Sequence, residues 1–349
     1  MKTIMSTFWG TFRKVFSFII LFALAFVAFA LVNKSPDYSD IDKEFDEYFR
    51  KNYKVFAVNI PDKIDFCGEA CPVDRFDIHE SLDKELLSIT YWHSQTLQTI
   101  KKANRYFPII EPILKQNGIP DDFKYLCITE SMLTNAISTA NAVGFWQFLD
   151  KTGISYGLEI NEEVDERYDV VRSTHAACKY FKDAYAKFGN WTMVAASYNM
   201  GMGGLKEQST RQQTNNYYDL HLNQETGRYV YRILANKILF QSPSSYGFYF
   251  RFKDLYPVIP TRKLTVDTAI NDLVAFSINA KSNYKMLKLF NPWLRKTKLS
   301  NKLRKKYTIE FPVEGSMNYS VLTKDLEEKD RKWMEQFEKD FGKNEENKK

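Results

Sequence analysis

A glutamate at the end of an apolar helix is the residue of this sequence best placed for acid chemistry. Phe123, Leu126, Cys127 and Ile128 form an apolar stripe that predicts a short helix, and this helix runs out at Glu130. Burial disfavours the charged form of a carboxyl group and raises its pKa, which is what a general acid near neutral pH requires. A single glutamate at a helix end is usually a solvated surface residue, so Glu130 needs support from other residues.

That support comes from short motifs further along the chain. They read G-F-W-Q-F at 144–148, Y-N-M-G at 198–201 and E-T-G-R-Y-V at 225–230. A small polar residue, Ser138, precedes the first of these motifs. The candidate site residues beyond Glu130 are therefore small, polar or phenolic: Ser138, Gly144, Gln147, Tyr198, Asn199, Glu225 and Tyr229.

The order of these motifs resembles the transglycosylase (goose-type-lysozyme-like) domain of lytic murein transglycosylases. The family order is E-S, then G-x-x-Q, then Y-N-x-G, then E-T-x-x-Y-V, and the G-F-W-Q-F at 144–148 is similar to the membrane-bound D type. Each motif alone is weak, whereas four in order over one domain are specific. The sequence departs from the family at Asn135-Ala136, where Asn-Pro is usual, and at Asn141, where glycine is usual, which affects loop shape and substrate preference.

The resemblance implies a chemistry that needs one catalytic carboxyl group. Glu130 would protonate the oxygen between N-acetylmuramic acid and N-acetylglucosamine in a peptidoglycan glycan strand. It would then take the proton of the sugar's own 6-hydroxyl, which closes a 1,6-anhydro ring. Because this nucleophile belongs to the substrate, neither a second catalytic carboxylate nor a metal or other cofactor is expected.

The resemblance also implies roles for the other motif residues. Tyr198 matches the tyrosine whose hydroxyl reaches the catalytic glutamate, and Asn199 would fix the turn that follows. Ser138 and Gln147 match substrate-binding positions, and Gly144 would allow a close approach of the backbone. Phe145 and Trp146 would either wall the groove or belong to the core. Glu225 matches a glutamate that assists electrostatically, with Tyr229 one helical turn later, although an acid at a helix start is also favoured by the helix dipole.

Hydrophobic periodicity predicts a mainly α protein with an all-helical domain over residues 80–242. The resemblance implies that this domain is lysozyme-like and catalytic. We expect one helix from Glu80 to Arg105, a second from Ile109 to Gln116, and a long helix capped by Ser173. Residues 35–79 are polar and poorly periodic, which predicts a tether and lead-in. Residues 243–261 are rich in aromatic and turn residues, which is typical of a linker.

A smaller unit follows at residues 262–312. The order strand, helix, helix, strand, with Asn291-Pro292 after the second helix, resembles a LysM repeat, a sugar-binding module. The resemblance is weaker here, and a packing subdomain without a glycan site is an equal alternative. Residues 313–349 form a charged, helical tail that ends in polar residues.

The N-terminus predicts export. An uncharged apolar run from Val15 to Val32 follows the basic residues Lys2, Arg13 and Lys14, which places residues 1–34 as a cytoplasmic stub and transmembrane signal anchor. The body would then be anchored to the inner membrane and lie in the periplasm. Cleavage after Ala30, which would release the body, is the alternative.

Charge and cysteines limit the other possibilities. The net charge of +6 is small and spread over the chain, so nucleic acid is not expected as a partner. Cys67 and Cys71 have a spacing that permits a small disulfide loop in an exported protein, but they have no histidine nearby for zinc. Cys127 and Cys178 lie in apolar helical stretches and are expected in the core.

Two other function classes compete with a transglycosylase. A lysozyme-like hydrolase would admit water and produce a reducing end. A non-catalytic peptidoglycan-binding scaffold would need no general acid, and the presence of Glu130, Gln147 and Tyr198 argues against it. The product of the hydrolase would be heavier by one water than the 1,6-anhydro product of a transglycosylase, so the mass of the product distinguishes the two.

Overall fold

The computed structural model describes residues 38–52 and 54–341, which divide into two compact units between Ala57 and Val58. In the first unit, α1 (Tyr38–Asn52) occupies the segment that we expected to be an irregular tether. The predicted membrane helix, residues 15–32, lies outside the described residues. Among those described, no helix is long and apolar enough to cross a membrane.

The second unit begins with a short hairpin, β1 (Asp65–Phe66) and β2 (Glu69–Ala70), followed by helices up to residue 241. These helices are α2 (Phe76–Tyr91), α3 (His93–Gln116), α4 (Phe123–Ser131), α5 (Asp150–Ser155), α6 (Val170–Phe188), α7 (Trp191–Met200), α8 (Met202–Arg211) and α9 (Gln224–Gln241). The helical domain expected from periodicity is therefore present in this part of the chain.

Two helix boundaries differ from the prediction. The first break falls at Trp92, and α3 then continues through Pro108 and Pro112 without the expected interruption. A proline inside a helix removes one backbone hydrogen bond, but the buried side chains of α3 compensate for that loss. The cap of α6 is Asp169 rather than Ser173, since the Asp169 carboxylate accepts from the backbone N–H of Val171 at 2.9 Å.

The core of the helical domain forms around α9, which packs against α2, α4 and α7. Cys127 and Cys178 are buried in this core as expected, and the thiols of Cys67 and Cys71 are free. The lead-in before α2 contributes to the same core because Phe66 is fully buried and its ring packs edge-on against Phe123. Residues 58–75 are thus part of the folded body.

The C-terminal unit has the predicted order of elements. Strands β3 (Thr261–Val266) and β4 (Tyr307–Pro312) pair antiparallel, with Thr261 opposite Pro312, and enclose α10 (Leu273–Asn279) and α11 (Tyr284–Phe290). Two further helices, α12 (Tyr319–Leu322) and α13 (Lys324–Phe341), follow β4. Asp330 on α13 accepts from the backbone N–H groups of Phe252 (2.7 Å) and Lys253 (2.9 Å) in the connecting segment.

The C-terminal unit packs firmly on the helical domain. Val143, Val164 and Tyr168 of that domain share one buried hydrophobic cluster with Trp293 and other side chains of the C-terminal unit. The backbone N–H of Asp165 donates to the carbonyl of Trp293 at 2.9 Å. The two parts therefore share a continuous interface.

Candidate active site

Glu130 is the penultimate residue of α4, a helix whose side chains are almost all buried. The helix ends abruptly because Met132 and Leu133 both adopt left-handed backbone conformations, with φ of 52° and 55°. The Lys102 ammonium group donates to the carbonyl of Met132, one of the orphan acceptors at the helix end. The turn after Glu130 is thus fixed by a charged group from α3.

Helix α9 provides the groups that face Glu130. The hydroxyl of Tyr229 donates to Glu130 Oε1. One turn further on, Arg232 Nη2 donates to the carbonyl of Thr129 (3.2 Å). After one more turn, Asn236 Nδ2 donates to the Thr129 hydroxyl (3.1 Å). These contacts hold the end of α4 from one side, so that the position of the Glu130 carboxyl group is well defined.

The environment of Glu130 makes it a weak acid. Burial raises the pKa of the Glu130 carboxyl group to about 7, against the lowering effects of the Tyr229 hydrogen bond and the Arg232 charge. The negative charge of Glu225 adds to the raising effect. A carboxyl group of this pKa is substantially protonated near neutral pH, and can donate a proton and later take one back.

The structure corrects our expectation for Tyr198. We expected its hydroxyl to reach Glu130, but that hydroxyl donates to the carbonyl of Trp146 at 2.7 Å. Its only proton is therefore committed to the backbone, and Tyr229 is the tyrosine that donates to the Glu130 carboxyl group. The Tyr198 ring packs against Tyr180 and Phe181, which makes it a support for the segment around Trp146.

Asn199 and Glu225 form a linked pair. Asn199 Nδ2 donates to Glu225 Oε1 at 2.9 Å, and its Oδ1 accepts from the hydroxyl of Thr226 at 2.7 Å. Glu225 lies in the first turn of α9, whose cap is Asn223. These contacts connect the end of α7 to the start of α9, and they keep the Glu225 carboxylate near Glu130.

The motif at 144–148 forms a tight loop. Gln147 has a φ of 48°, and its Nε2 donates to the carbonyls of Ala136 (3.0 Å) and Gly144 (2.8 Å). The hydroxyl of Ser138 accepts from the backbone N–H of Ala142 at 3.0 Å. Ser138 and Gln147 therefore brace the loop with part of their polar groups. The hydroxyl proton of Ser138 and Oε1 of Gln147 take no part in these three contacts and are suited to a ligand.

Gly144 is required by a close approach of two backbone segments. Its φ is +84°, and a Cβ at this position would lie 2.0 Å from the carbonyl oxygen of Arg167. The buried Arg167 guanidinium donates to Asp165 and to the carbonyl of Phe148 at 3.3 Å. Phe145 and Trp146 are buried, so they belong to the core and do not wall a groove.

A groove of about 430 Å³ opens beside Glu130, between α2, α3 and α9. Residues on either side of Glu130, Thr129 and Met132, form part of its wall. Glu225, a site residue predicted from the sequence, also lines the groove. Sequence reasoning missed further lining residues, among them Trp92, Gln95, Arg228, Arg232 and Asn236.

A regular spacing was the available signal for two of these groove residues. Arg228 and Arg232 follow Glu225 by three and seven positions, which places all three on one face of α9. Arg228 pairs with the buried Glu85, with contacts of 2.5 Å and 3.0 Å. Trp92, which is 54% exposed at the break between α2 and α3, offers an apolar surface in the groove.

The described part of the chain contains no group of three or more His, Cys, Asp and Glu side chains arranged for a metal ion. The groups that the structure brings together are a weakly acidic carboxyl group, Glu130, and the Tyr229 phenol that donates to it, beside a groove that Thr129 and Met132 help to line.

Comparisons with known proteins match two segments of this chain to families. Residues 107–221 match the family described as the transglycosylase SLT domain, and residues 262–315 match the soluble lytic transglycosylase C-terminal LysM-like domain. The first match includes Glu130 and Tyr198, whereas Glu225 and Tyr229 lie just beyond it.

Two curated relatives are similar to about half of the chain. It is 34% identical over 176 residues to the membrane-bound lytic murein transglycosylase D of Escherichia coli (strain K12), which covers 49% of this chain and 38% of the relative. The protein of the same name from Escherichia coli O6:H1 gives the same figures. The chain thus spans well under half the length of these relatives.

Proposed function

We propose, from its membership of the SLT-domain lytic transglycosylase family, that this chain cleaves peptidoglycan glycan strands and leaves a 1,6-anhydromuramoyl end. The observation that carries the proposal is the Glu130 carboxyl group, whose pKa is raised to about 7 and which receives a hydrogen bond from Tyr229. The substrate bond is the β-1,4 linkage between N-acetylmuramic acid and N-acetylglucosamine.

In the first step, protonated Glu130 donates its proton to the glycosidic oxygen. The bond from that oxygen to the muramic acid carbon breaks, and N-acetylglucosamine leaves with the proton. The Tyr229 hydroxyl stabilises the carboxylate that forms, because a hydrogen bond to the charged form of an acid favours that form. The 2-acetamido group of the muramic acid stabilises the electron-poor carbon.

In the second step, the Glu130 carboxylate takes the proton of the muramic acid 6-hydroxyl. The freed oxygen bonds to the electron-poor carbon and closes the anhydro ring, which returns Glu130 to its protonated form. No water is consumed, and a nucleophile within the substrate needs no second carboxylate to activate it. Glu225 acts at a distance, because its Oε1 accepts from Asn199 and its charge helps to keep the pKa of Glu130 raised.

The polar loop and the groove would hold the glycan strand. Ser138 and Gln147 retain hydrogen-bonding capacity for the acetamido and hydroxyl groups of the substrate, next to the backbone approach at Gly144. The groove adds Trp92 and the cations of α9, which suit sugar rings and the acidic groups of peptidoglycan. Peptidoglycan is therefore the proposed partner.

We place the catalytic body at the outer face of the inner membrane, in the periplasm. The support is the sequence of residues 1–34, where an apolar run follows basic residues, together with the name of the Escherichia coli relatives. A reporter fused after Lys349 should be active only outside the cytoplasm. A mature N-terminus at Leu31 would show that the segment is a cleaved signal and not an anchor.

The C-terminal unit supports the active-site loop in this proposal. Glu159 accepts from the Tyr307 hydroxyl at 2.9 Å and pairs with Lys305 at 2.6 Å, while the carboxylate of Glu163 accepts from Ser300. The segment bearing these acids continues into Arg167, which contacts the loop at Gly144 and Phe148. A packing role is favoured over an independent glycan-binding role because the unit is built into this interface.

Mass spectrometry of the fragments released from purified peptidoglycan tests the main proposal. Wild-type protein should release muropeptides with 1,6-anhydro ends, lighter by one water than hydrolytic products. Glu130→Gln should abolish release, and Glu225→Gln, a matched loss of one carboxylate in the same region, should reduce it much less. A product population dominated by reducing muramic acid ends would establish a lysozyme-like hydrolase instead.

A further inference from the structure

The loop between α11 and β4 carries an unusual concentration of positive charge. Residues 295–306, the basic loop, contain seven cations and no acid: Arg295, Lys296, Lys298, Lys302, Arg304, Lys305 and Lys306. The net charge of the whole chain is only +6, so this one loop exceeds it. All seven side chains are exposed.

Three of these cations serve the interface with the helical domain. Lys305 pairs with Glu159 at 2.6 Å and Glu166 at 3.1 Å, Lys296 lies 3.7 Å from Glu162, and the Arg295 guanidinium stacks 3.9 Å from the centre of the Tyr168 ring. These contacts fix the base of the basic loop, and they leave its outer part unexplained.

The other four cations have no such partners. No described carboxylate forms an ion pair with Lys298, Lys302, Arg304 or Lys306. The charges of Lys298 and Lys302 act on Glu163, whose two oxygens accept from the N–H (2.6 Å) and hydroxyl (2.7 Å) of Ser300. One carboxylate cannot neutralise four cations, so the outer part of the loop remains strongly positive.

The outer part is a preformed turn with an apolar tip. Asn301 and Arg304 have positive φ values of 35° and 51°, and the Asn301 side chain accepts from the Lys305 N–H (2.9 Å) and donates to its carbonyl (2.8 Å). Between them lies Leu303, whose surface is 93% exposed. A leucine so exposed, flanked by Lys302 and Arg304, contributes nothing to the packing of the fold.

We propose that the basic loop binds a membrane surface of anionic phospholipid headgroups, with Leu303 inserted among them. Clustered lysine and arginine side chains are attracted to anionic lipids, and an apolar side chain at the tip gains by leaving water. An anionic wall polymer would attract the same cations but offers no apolar phase for Leu303. This proposal does not depend on the catalytic one.

The test follows Leu303 itself, because the apolar run at residues 15–32 can insert into vesicles independently. Full-length Leu303→Cys protein carries an environment-sensitive fluorophore and is reconstituted in vesicles of phosphatidylglycerol and phosphatidylcholine, or of phosphatidylcholine alone. The label should enter an apolar environment only in the anionic vesicles, and high salt should reverse this because it screens the attraction. Unsubstituted protein taken through the labelling corrects for Cys67, which is partly exposed.

Charge variants give the decisive comparison. Neutralising Lys302, Arg304 and Lys306 to glutamine should lower the lipid-dependent signal at least about tenfold, since each cation near an anionic surface contributes to binding. The same change at Lys115, Lys187 and Lys285, which are exposed elsewhere, should leave the signal unchanged.

Three results would overturn the proposal. They are an equal signal in both kinds of vesicle, no effect of removing the three loop cations, and a response of the label to purified peptidoglycan but not to lipid. The last would assign the basic loop to a wall polymer. Muropeptide release is measured in parallel, so that failure of this proposal is distinguishable from failure of the catalytic one.

Discussion

Glu130→Gln separates the charge of the proposed catalytic residue from its shape. Glutamine resembles the protonated glutamic acid in size, and its carbonyl oxygen can still accept from the Tyr229 hydroxyl. It can neither donate nor take up the catalytic proton, so activity should fall by about 10²–10⁴, the usual contribution of a general acid–base group.

The same substitution should change stability in a way that depends on pH. The pKa of Glu130 is about 7 in the folded protein and 4.5 ordinarily. Between these values the folded state binds more protons than the unfolded state, so the free energy of unfolding falls as pH rises. The contribution of Glu130 is complete below its ordinary pKa and is lost as pH passes through its folded pKa.

The size of the effect follows from the two pKa values of Glu130. At about 1.36 kcal/mol for each pKa unit, their difference corresponds to about 3 kcal/mol at full ionisation. Wild type and Glu130→Gln should therefore have similar stability at about pH 4, while the variant should be more stable by about 2–3 kcal/mol at about pH 8. An inactive variant that is also more stable above neutrality is an unusual and specific signature.

The assay is urea unfolding of both proteins across this pH range, followed by circular dichroism. Glu225→Gln is the matched control, because it also removes one carboxylate from this region. The Glu225 carboxylate accepts a hydrogen bond from Asn199 in the folded protein. If the difference between wild type and Glu130→Gln is the same at low and high pH, the carboxyl group is not perturbed and the mechanism loses its general acid. The basic limb of kcat/KM gives an independent reading of the same pKa, near 7.

Three further substitutions test the remaining assignments. Tyr229→Phe removes a hydrogen bond that lowers the pKa of the catalytic carboxyl group, so the basic limb of kcat/KM should move to higher pH, whereas Tyr198→Phe should leave that limb in place. Gly144→Ala should unfold the loop and abolish activity, because the added Cβ would meet the backbone carbonyl oxygen of Arg167. Gly189→Ala is the control: this glycine also has a positive φ but open space around it, so urea unfolding should show a free energy of unfolding lower by only about 1–2 kcal/mol. Tyr307→Phe removes the hydrogen bond to Glu159, so the free energy of unfolding should fall by about 1 kcal/mol and KM for peptidoglycan should rise. A loss of stability without a change in KM would refute the supporting role of the C-terminal unit.

Much of the fold was predictable because its signals are local. The helical pattern of the domain, the end of α4 near Glu130 and the strand–helix–helix–strand order each depend on residues close in sequence. The break at Trp92 was not predictable, since the apolar spacing continues on both sides of it. Similarly, Asp169 and Ser173 are both good caps by residue type, and only the position where the chain turns onto the core selects Asp169.

The candidate site was predictable as a set of residues but not as a geometry. The motifs identify two tyrosines that could reach Glu130, and sequence order does not distinguish them. The choice depends on how α9 packs against α4, which brings Tyr229 to the carboxyl group and leaves Tyr198 against the carbonyl of Trp146. The periodicity of α9 was the best available signal, because Glu225 and Tyr229 are separated by one helical turn.

The pKa of Glu130 shows why the chemistry itself needed the tertiary structure. Burial and the charge of Glu225 raise this pKa, while the Tyr229 hydrogen bond and the Arg232 charge lower it. Three of these four influences come from α9, a helix that starts far along the chain from Glu130. The single helix α9 thus largely sets how far the pKa of Glu130 departs from that of an ordinary glutamate. A shift of α9 along its axis would move Tyr229, Arg232 and Glu225 together relative to this carboxyl group. Catalysis and the packing of α9 on α4 are for this reason expected to fail together, even in variants that leave every motif residue in place.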